Sequence, residues 1–443
     1  MINHIENCML IKQLKDAAAH SDIGHRMVKG AFWSLSGTVV AKLFVLISGI
    51  LCAHILSNNE YGQFGMVRST INLFVTLGSA GMGVTASKFI SEYHANDKTQ
   101  IHSIYCLTNG FAFITGLIIT LIILIIAPYI ATNILNSQEL INPLRIGALL
   151  LFVTVNNGAQ NGTLSGLEDF KAIAFNTLYG SLAESVFMLL GAYYGGVYGA
   201  VLGFGIGYLV IYVANHISIK RDFYKIGIPT SKFTILKEHF KILYTFSLPA
   251  ALSSCMTAPV FFLVRAMLAS HDGFEAVAIY EAADQWRTIV LFIPASIAQI
   301  VLPLLSSLSS KGADTYWKVL NINLVLNVTV ATIVTLFVSI CSPWIMRLYG
   351  SAYVSNYLTL VLLISSTIFT SAATVVGAAL QSRAKTWTGL CFNILWALLT
   401  IFLTHIFLNK GLGANAISLA FLLSYMLHTL FQLGYLKYSF SIN

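Results

Sequence analysis

Residues 61–68, YGQFGMVR, and residues 280–287, YEAADQWR, share one pattern. Each places an arginine seven residues after a tyrosine, inside an apolar run long enough for a helix. Tyr61 and Arg68 thus correspond to Tyr280 and Arg287, at an offset of 219 in a chain of 443. Other pairs keep this spacing. Phe175-Asn176-Thr177-Leu178 returns as Phe392-Asn393-Ile394-Leu395 and Tyr208 as Tyr425, both at 217, and Gly199-Ala200 returns as Gly413-Ala414 at 214. Matches in the same order at a near-constant offset indicate an internal duplication.

Composition says what is duplicated. Hydrophobic residues make up 57% of the chain and charged residues 9%, with mean hydropathy +0.77. Soluble domains carry about a quarter charged residues, so the fold class is an all-α integral membrane protein. At about 20 apolar residues per crossing, twelve spans fit: 30–56, 60–87, 101–127, 143–166, 172–194, 197–219, 242–270, 275–304, 317–341, 353–381, 386–408 and 412–436. Ser57-x-x-Glu60 is a capping signal for the second span, and Asp272 followed by Glu275 is a weaker one for the eighth. No cleavable leader is expected, because the first apolar run is followed by further spans; Met27 is an alternative start.

Orientation follows from the loop cations. With the N-terminus inside, 18 of the 25 Lys and Arg fall in cytoplasmic segments and 2, Arg347 and Lys410, outside. Both termini are therefore expected in the cytoplasm, and the net charge of +8 reads as loop charge, with no nucleic-acid partner. The expected organisation is a tail over 1–29, a six-helix lobe over 30–219, a basic linker over 220–241, a second six-helix lobe over 242–437 and a tail over 438–443. Six is even, so both lobes cross in the same sense. They form two pseudo-symmetric halves around a central cleft, related by an axis along the membrane normal. The small residues Gly195, Gly199, Gly203 and Gly207 mark a packing ridge. Pro249, Pro259 and Pro294 are candidate bends. Six scattered cysteines show neither disulfide nor zinc spacing, so no metal site is expected.

Charges inside spans are costly and need a partner or water. Lys42 lies about 18 Å into the first span, and Arg68 and Arg287 about 15–20 Å into theirs, at 1.5 Å per residue. These cations suit an anionic ligand, arginine most of all because its planar fork holds two phosphate oxygens. The competing reading is internal ion pairing, strongest for Arg287, with Asp284 three residues back and Glu281 three further. Arg265 is a candidate ligand contact that is also placed to snorkel at the outer end of its span. The span acids Glu184, Glu281 and Asp284 are candidates for proton or Na⁺ coupling, against plain charge balance. No cofactor is otherwise expected. The chain has no GxxxxGK[ST], HExxH or DxD, and its outside loops are short, which disfavours an ATPase, a polymerase or a glycosyltransferase.

The stretches MVKGAFWSLSGTVVAKLF, ILSNNEYGQFGMVRS and SKFISEYHANDK, within residues 27–98, resemble the Wzx-type polysaccharide flippases of the multidrug/oligosaccharidyl-lipid/polysaccharide exporter (MOP) superfamily. The resemblance implies a transporter in the bacterial inner membrane that moves an undecaprenyl-pyrophosphate-linked oligosaccharide between leaflets. It would serve O-antigen, lipopolysaccharide or another surface polysaccharide, alongside other polysaccharide assembly proteins. It also implies a cationic lumen, with Lys42, Arg68, Arg265 and Arg287 on the first, second, seventh and eighth spans. Glu281 and Asp284 depart from that pattern. The competing transporter is a drug/cation antiporter of the same superfamily, which would carry an acid-dominated cleft.

Overall fold

The computed structural model describes residues 22–79, 81–96, 98–228, 235–248, 251, 256–308, 313–383 and 385–441; side chains of 22–36, 295–315 and a few other positions are outside the description. The tail cations Lys12 and Lys15, the loop lysines Lys232 and Lys311, Pro249, Cys8 and Cys255 therefore lie outside it. Among the described residues the chain is helical, with no strand.

In chain order the helices are α1 (Asp22–Ile55), α2 (Asn58–Ser79), α3 (Met82–Asn96), α4 (Ile101–Tyr129) and α5 (Ile141–Gly166). A continuous stretch, Phe170–Lys225, is broken at Gly195 and Gly196 into α6 (170–194) and α7 (197–225). Thr257–Leu308 is broken at Gly273 into α8 (257–272) and α9 (274–308). α10 (Ala313–Arg347), α11 (Tyr357–Ser382), α12 (Thr386–Asn409) and α13 (Ala414–Ser441) complete the chain. α2 and α3 meet at a 42° bend and together are long and apolar enough for one span. Eight described helices are long and apolar enough to cross a membrane, nine with the bent pair. Dividing 170–225 at its glycine break and adding α8 and α9 gives about twelve.

Local chemistry sets the breaks. Ser57 and Glu60 form the expected capping box: Glu60 Oε2 accepts from the Ser57 amide at 2.9 Å and from its hydroxyl at 2.8 Å, and the Glu60 amide donates back to Ser57 Oγ at 3.3 Å. Asp272 and Glu275 make no such box among the described residues. Asp272 bonds His271 at 3.1 Å instead, because Gly273 (φ +81°, ψ 178°) turns the chain by its own backbone. Gly196 (φ +55°) and Gly413 (φ +54°) both have a positive φ just before α7 and α13.

The glycine ridge packs α7 on α6. A Cβ on Gly199 would strike the Gly191 carbonyl, and one on Gly203 the backbone of Phe187 and Met188. Gly195 belongs to the turn rather than to the ridge. Pro259 lies in the first turn of α8, where a missing N–H costs least. The helical dihedrals run on through Pro294, leaving Gly273 as the break in that stretch. The described free cysteines are Cys52 and Cys106, both buried, Cys341, half-buried, and Cys391, exposed.

The stretch 235–248, which precedes α8, packs on the first lobe. Ile242 joins a core with Ala86, Ile90 and Ile101. Thr85 Oγ1 meets Ser247 Oγ at 2.8 Å, and Lys88 lies 4.2 Å from the centre of the Phe246 ring. His239 is buried against Ser103 Oγ (2.8 Å) and Gln100 Oε1 (3.1 Å). Burial holds its imidazole below the usual range, against the pull of Glu238.

Candidate functional site

α2 leans on α9 at one face of the molecule. Glycines make the approach: a Cβ on Gly62 would overlap the Phe274 carbonyl, and one on Gly65 would run into the Glu281 side chain. On the same face His54 Nε2 bonds the Leu348 carbonyl at 2.8 Å. Cys52, Leu56, Tyr61 and Phe64 share one core with Phe274, Val277, Tyr280 and Tyr349. This face, which bears the α1–α2 turn, is closed. Away from it the lobes part around a cleft of about 660 Å³, walled by α1, α2 and α6 on one side and α8 and α9 on the other.

Lys42, Arg68, Arg265, Glu281, Asp284 and Arg287 all line this cleft. The charged residues singled out in the spans thus converge, from sequence positions more than two hundred apart. Glu184 is the exception: it is buried behind the wall, within electrostatic reach of Arg68. Gly207 makes room for it, since a Cβ there would come within 2.5 Å of the Glu184 Cβ.

On the α8–α9 wall the charges neutralise one another. Arg265 Nε bonds Glu281 Oε1, and its second arm reaches Asp284 Oδ2 at 2.8 Å. Arg287 Nε donates to Asp284 Oδ1 at 2.5 Å. Two cations and two acids close a buried chain. Arg265 is 6% exposed, so it does not snorkel. Its cost of desolvation is met across the hairpin by acids on the next helix. Glu281 serves Arg265 rather than Arg287. The pairing had a legible signal: residues 265 and 281 stand eight positions either side of the Gly273 turn, and so face each other in an antiparallel hairpin.

The α1–α2 wall is different. Arg68 is held between the Phe64 and Phe204 rings, 5.6 and 5.4 Å from their centres. No carboxylate lies within ion-pair distance of it among the described residues, and its buried Nε has no hydrogen-bond partner. Lys42 lies 5.8 Å from the Phe292 ring centre and, among the described residues, has no acid partner. Around these cations the cleft presents Ser69, Asn72, Thr177, Ser181, Thr257 and Thr288, neutral donors and acceptors that the sequence reading did not single out. It also missed Gln285, which lines the cleft and bonds Tyr61. Among the described residues no group of His, Cys, Asp and Glu is placed to hold a metal.

The sequence model of a family described as polysaccharide biosynthesis protein matches residues 27–309. The EPS I polysaccharide export inner membrane protein EpsE of Ralstonia solanacearum is 22% identical over 413 residues, covering 90% of this chain and 91% of its own length. The lipid III flippase of Escherichia coli K12 is 23% identical over 302 residues, covering 64% and 68%. Among solved structures, the inward-facing conformation of a multidrug resistance MATE family transporter of the MOP superfamily superposes with TM-score 0.80 at 16% identity, over 93% of this chain and 98% of that one. A MOP superfamily transporter from Pyrococcus furiosus, described by the reverse polarity of its binding pocket, gives 0.71 at 17% identity, over 94% and 95%. The resemblance drawn from residues 27–98 therefore holds: the chain belongs to the polysaccharide biosynthesis protein family, has the fold of the MOP-superfamily transporters, and is a polysaccharide-related flippase rather than an enzyme.

Proposed function

We propose that this protein carries an undecaprenyl-pyrophosphate-linked oligosaccharide from the cytoplasmic to the periplasmic leaflet of the bacterial inner membrane, for O-antigen or another surface polysaccharide. The observation that supports this reading is the uneven pairing of the cleft cations. Arg265 and Arg287 are spent on Glu281 and Asp284, whereas Arg68 and Lys42 face the same space with no acid partner among the described residues. A cation inside a span with no directly bonded counter-ion is costly, Arg68 having Glu184 and Glu281 only at longer electrostatic range, and a ligand phosphate would supply a direct one. Arg68 offers a planar fork for two phosphate oxygens, Lys42 a second charge, and the hydroxyl and amide groups of Ser69, Asn72, Thr177 and Thr288 suit sugar hydroxyls.

The topology then gives the route. With both termini in the cytoplasm, the closed face with the α1–α2 turn is periplasmic and the cleft opens inward. Sugars and pyrophosphate enter the polar cleft while the polyprenyl tail stays in lipid. Rocking of the lobes exposes the cleft on the other side. Glu281 and Asp284 serve charge balance in this reading. Glu184, in no ion pair among the described residues, is the acid left for proton or Na⁺ coupling. The test is rescue of surface polysaccharide in a strain lacking its flippase, with the leaflet of the lipid-linked intermediate scored. Retention of that intermediate in the inner leaflet despite full expression would overturn the reading. Export of cationic drugs instead would favour the antiporter.

A further inference from the structure

Gln285 belongs to two structures at once. Its side chain lines the cleft, next in sequence to Asp284 and two residues from Arg287. The same amide ties the lobes together at the closed face: Nε2 donates to the Tyr61 hydroxyl at 2.6 Å, and Oε1 accepts from the Tyr349 hydroxyl at 3.1 Å. Tyr61 belongs to the first lobe, and Gln285 and Tyr349 to the second. Gly49 lies against the amide, and a Cβ there would come within 2.5 Å of both Nε2 and Oε1. The amide is thus gripped from three sides, on helices that must separate if this face is to open.

We propose that Gln285 is a positioning residue that keeps this face shut while the cleft is empty and releases it when the cleft takes up an anion. Because the amide is planar, its two arms are not independent. Turning Nε2 toward an acceptor in the cleft withdraws it from Tyr61 and carries Oε1 away from Tyr349. A phosphate held beside Arg68 is such an acceptor, so occupancy and opening compete for one side chain. The release half of the proposal rests on the phosphate-carrying function above; the latch half does not.

The two halves separate in one experiment. Spin labels at Asn59 and Ser351, exposed positions on opposite lobes of the closed face, report the gap between lobes in the full-length protein in lipid nanodiscs. Without ligand, Gln285→Ala should raise the ratio of wide to narrow distances about 3- to 10-fold over the parent, the size expected for losing hydrogen bonds of ordinary net strength. Tyr61→Phe, which keeps the ring and drops one bond, should give a smaller rise in the same direction. Gly49→Ala should act like Gln285→Ala by displacing the amide. Unchanged distances in both Gln285→Ala and Tyr61→Phe would overturn the latch. Added undecaprenyl pyrophosphate should widen the parent distribution and leave Gln285→Ala where it already is. Equal widening of both would overturn the link through Gln285. A parent that ignores the ligand while Gln285→Ala still opens would preserve the latch and refute the substrate reading.

Discussion

Arg68 and Arg287 each stand seven residues after a tyrosine and line one cleft, yet they live in opposite electrostatic states. Arg287 is bonded to Asp284, which is bonded in turn to Arg265. Arg68 and Arg287 both stand over rings, Arg287 4.7 Å from the Phe261 centre, but Arg68 has no acid within ion-pair distance and an Nε without a hydrogen-bond partner among the described residues. One tyrosine-to-arginine spacing thus carries two different surroundings. The second lobe uses its cations to build a wall; the first leaves Arg68 and Lys42 without a direct ion pair among the described residues, as the proposed anion site requires.

That contrast is broken most severely on the paired side. Removing Arg265 leaves Glu281 and Asp284 buried with one cation between them, and loss of one partner of a buried pair costs about 3–5 kcal/mol. Arg265→Ala should therefore fail to accumulate in the membrane, as an immunoblot of membrane fractions would show. Pairing it with Glu281→Gln should restore part of the protein. Normal accumulation of Arg265→Ala alone would mean that the ion pairs are not structural.

The unpaired side should break differently. The Lys42→Ala, Arg68→Ala double variant removes charges that hold no acid, so it should insert and accumulate like the parent while polysaccharide export falls to the level of the flippase-deficient strain. Arg68→Lys should recover export only partly, because a point charge loses the two-oxygen fork. Near-normal export by the double variant would place the ligand contact elsewhere.

How much of this was open to sequence reading depends on the kind of feature. About twelve spans and the capping box at Ser57 were legible because hydropathy and capping are local or periodic signals. That Lys42, Arg68 and Arg287 face one cleft followed from the cost of a charge in hydrocarbon. The partners were harder. Glu281 was assigned to Arg287 by distance along one helix, when the hairpin at Gly273 brings it to Arg265 on another. Gln285 carries no charge, so nothing in its identity marked it, although it lies inside the repeated stretch that fixes the fold.

A milder test asks whether Asp284 is a partner or a participant. Asp284→Asn keeps the shape and one acceptor while removing the charge, so Arg265 and Arg287 retain Glu281 and a neutral oxygen. If the acid only balances charge, export should stay within about fivefold of the parent, since an exchanged hydrogen-bond partner costs on the order of 1 kcal/mol. Freeing Arg287 should also tighten binding of undecaprenyl pyrophosphate, measurable in nanodiscs. Loss of export with normal accumulation would make Asp284 a carrier of the coupled ion.

The smallest effect is expected from the rings around Arg68, and it probes the contrast most finely. Phe204 holds the guanidinium at 5.4 Å without lining the cleft. Its contribution is the attraction of a cation to a ring face, about 0.5–2 kcal/mol, with no charge of its own to offer a ligand. Phe204→Leu keeps an apolar side chain of similar bulk and removes that attraction. Arg68 should then be less well aimed but still present, so undecaprenyl pyrophosphate should bind a few-fold more weakly at unchanged stoichiometry and accumulation. Phe204→Tyr, which restores a ring, should return the affinity to that of the parent. If Leu and Tyr behave alike, the ring is filler, and Arg68 is held by backbone position alone. If Leu abolishes binding outright, Arg68 depends on the ring for its place in the cleft, and the first lobe is as rigidly built as the second, only with aromatic groups in place of acids.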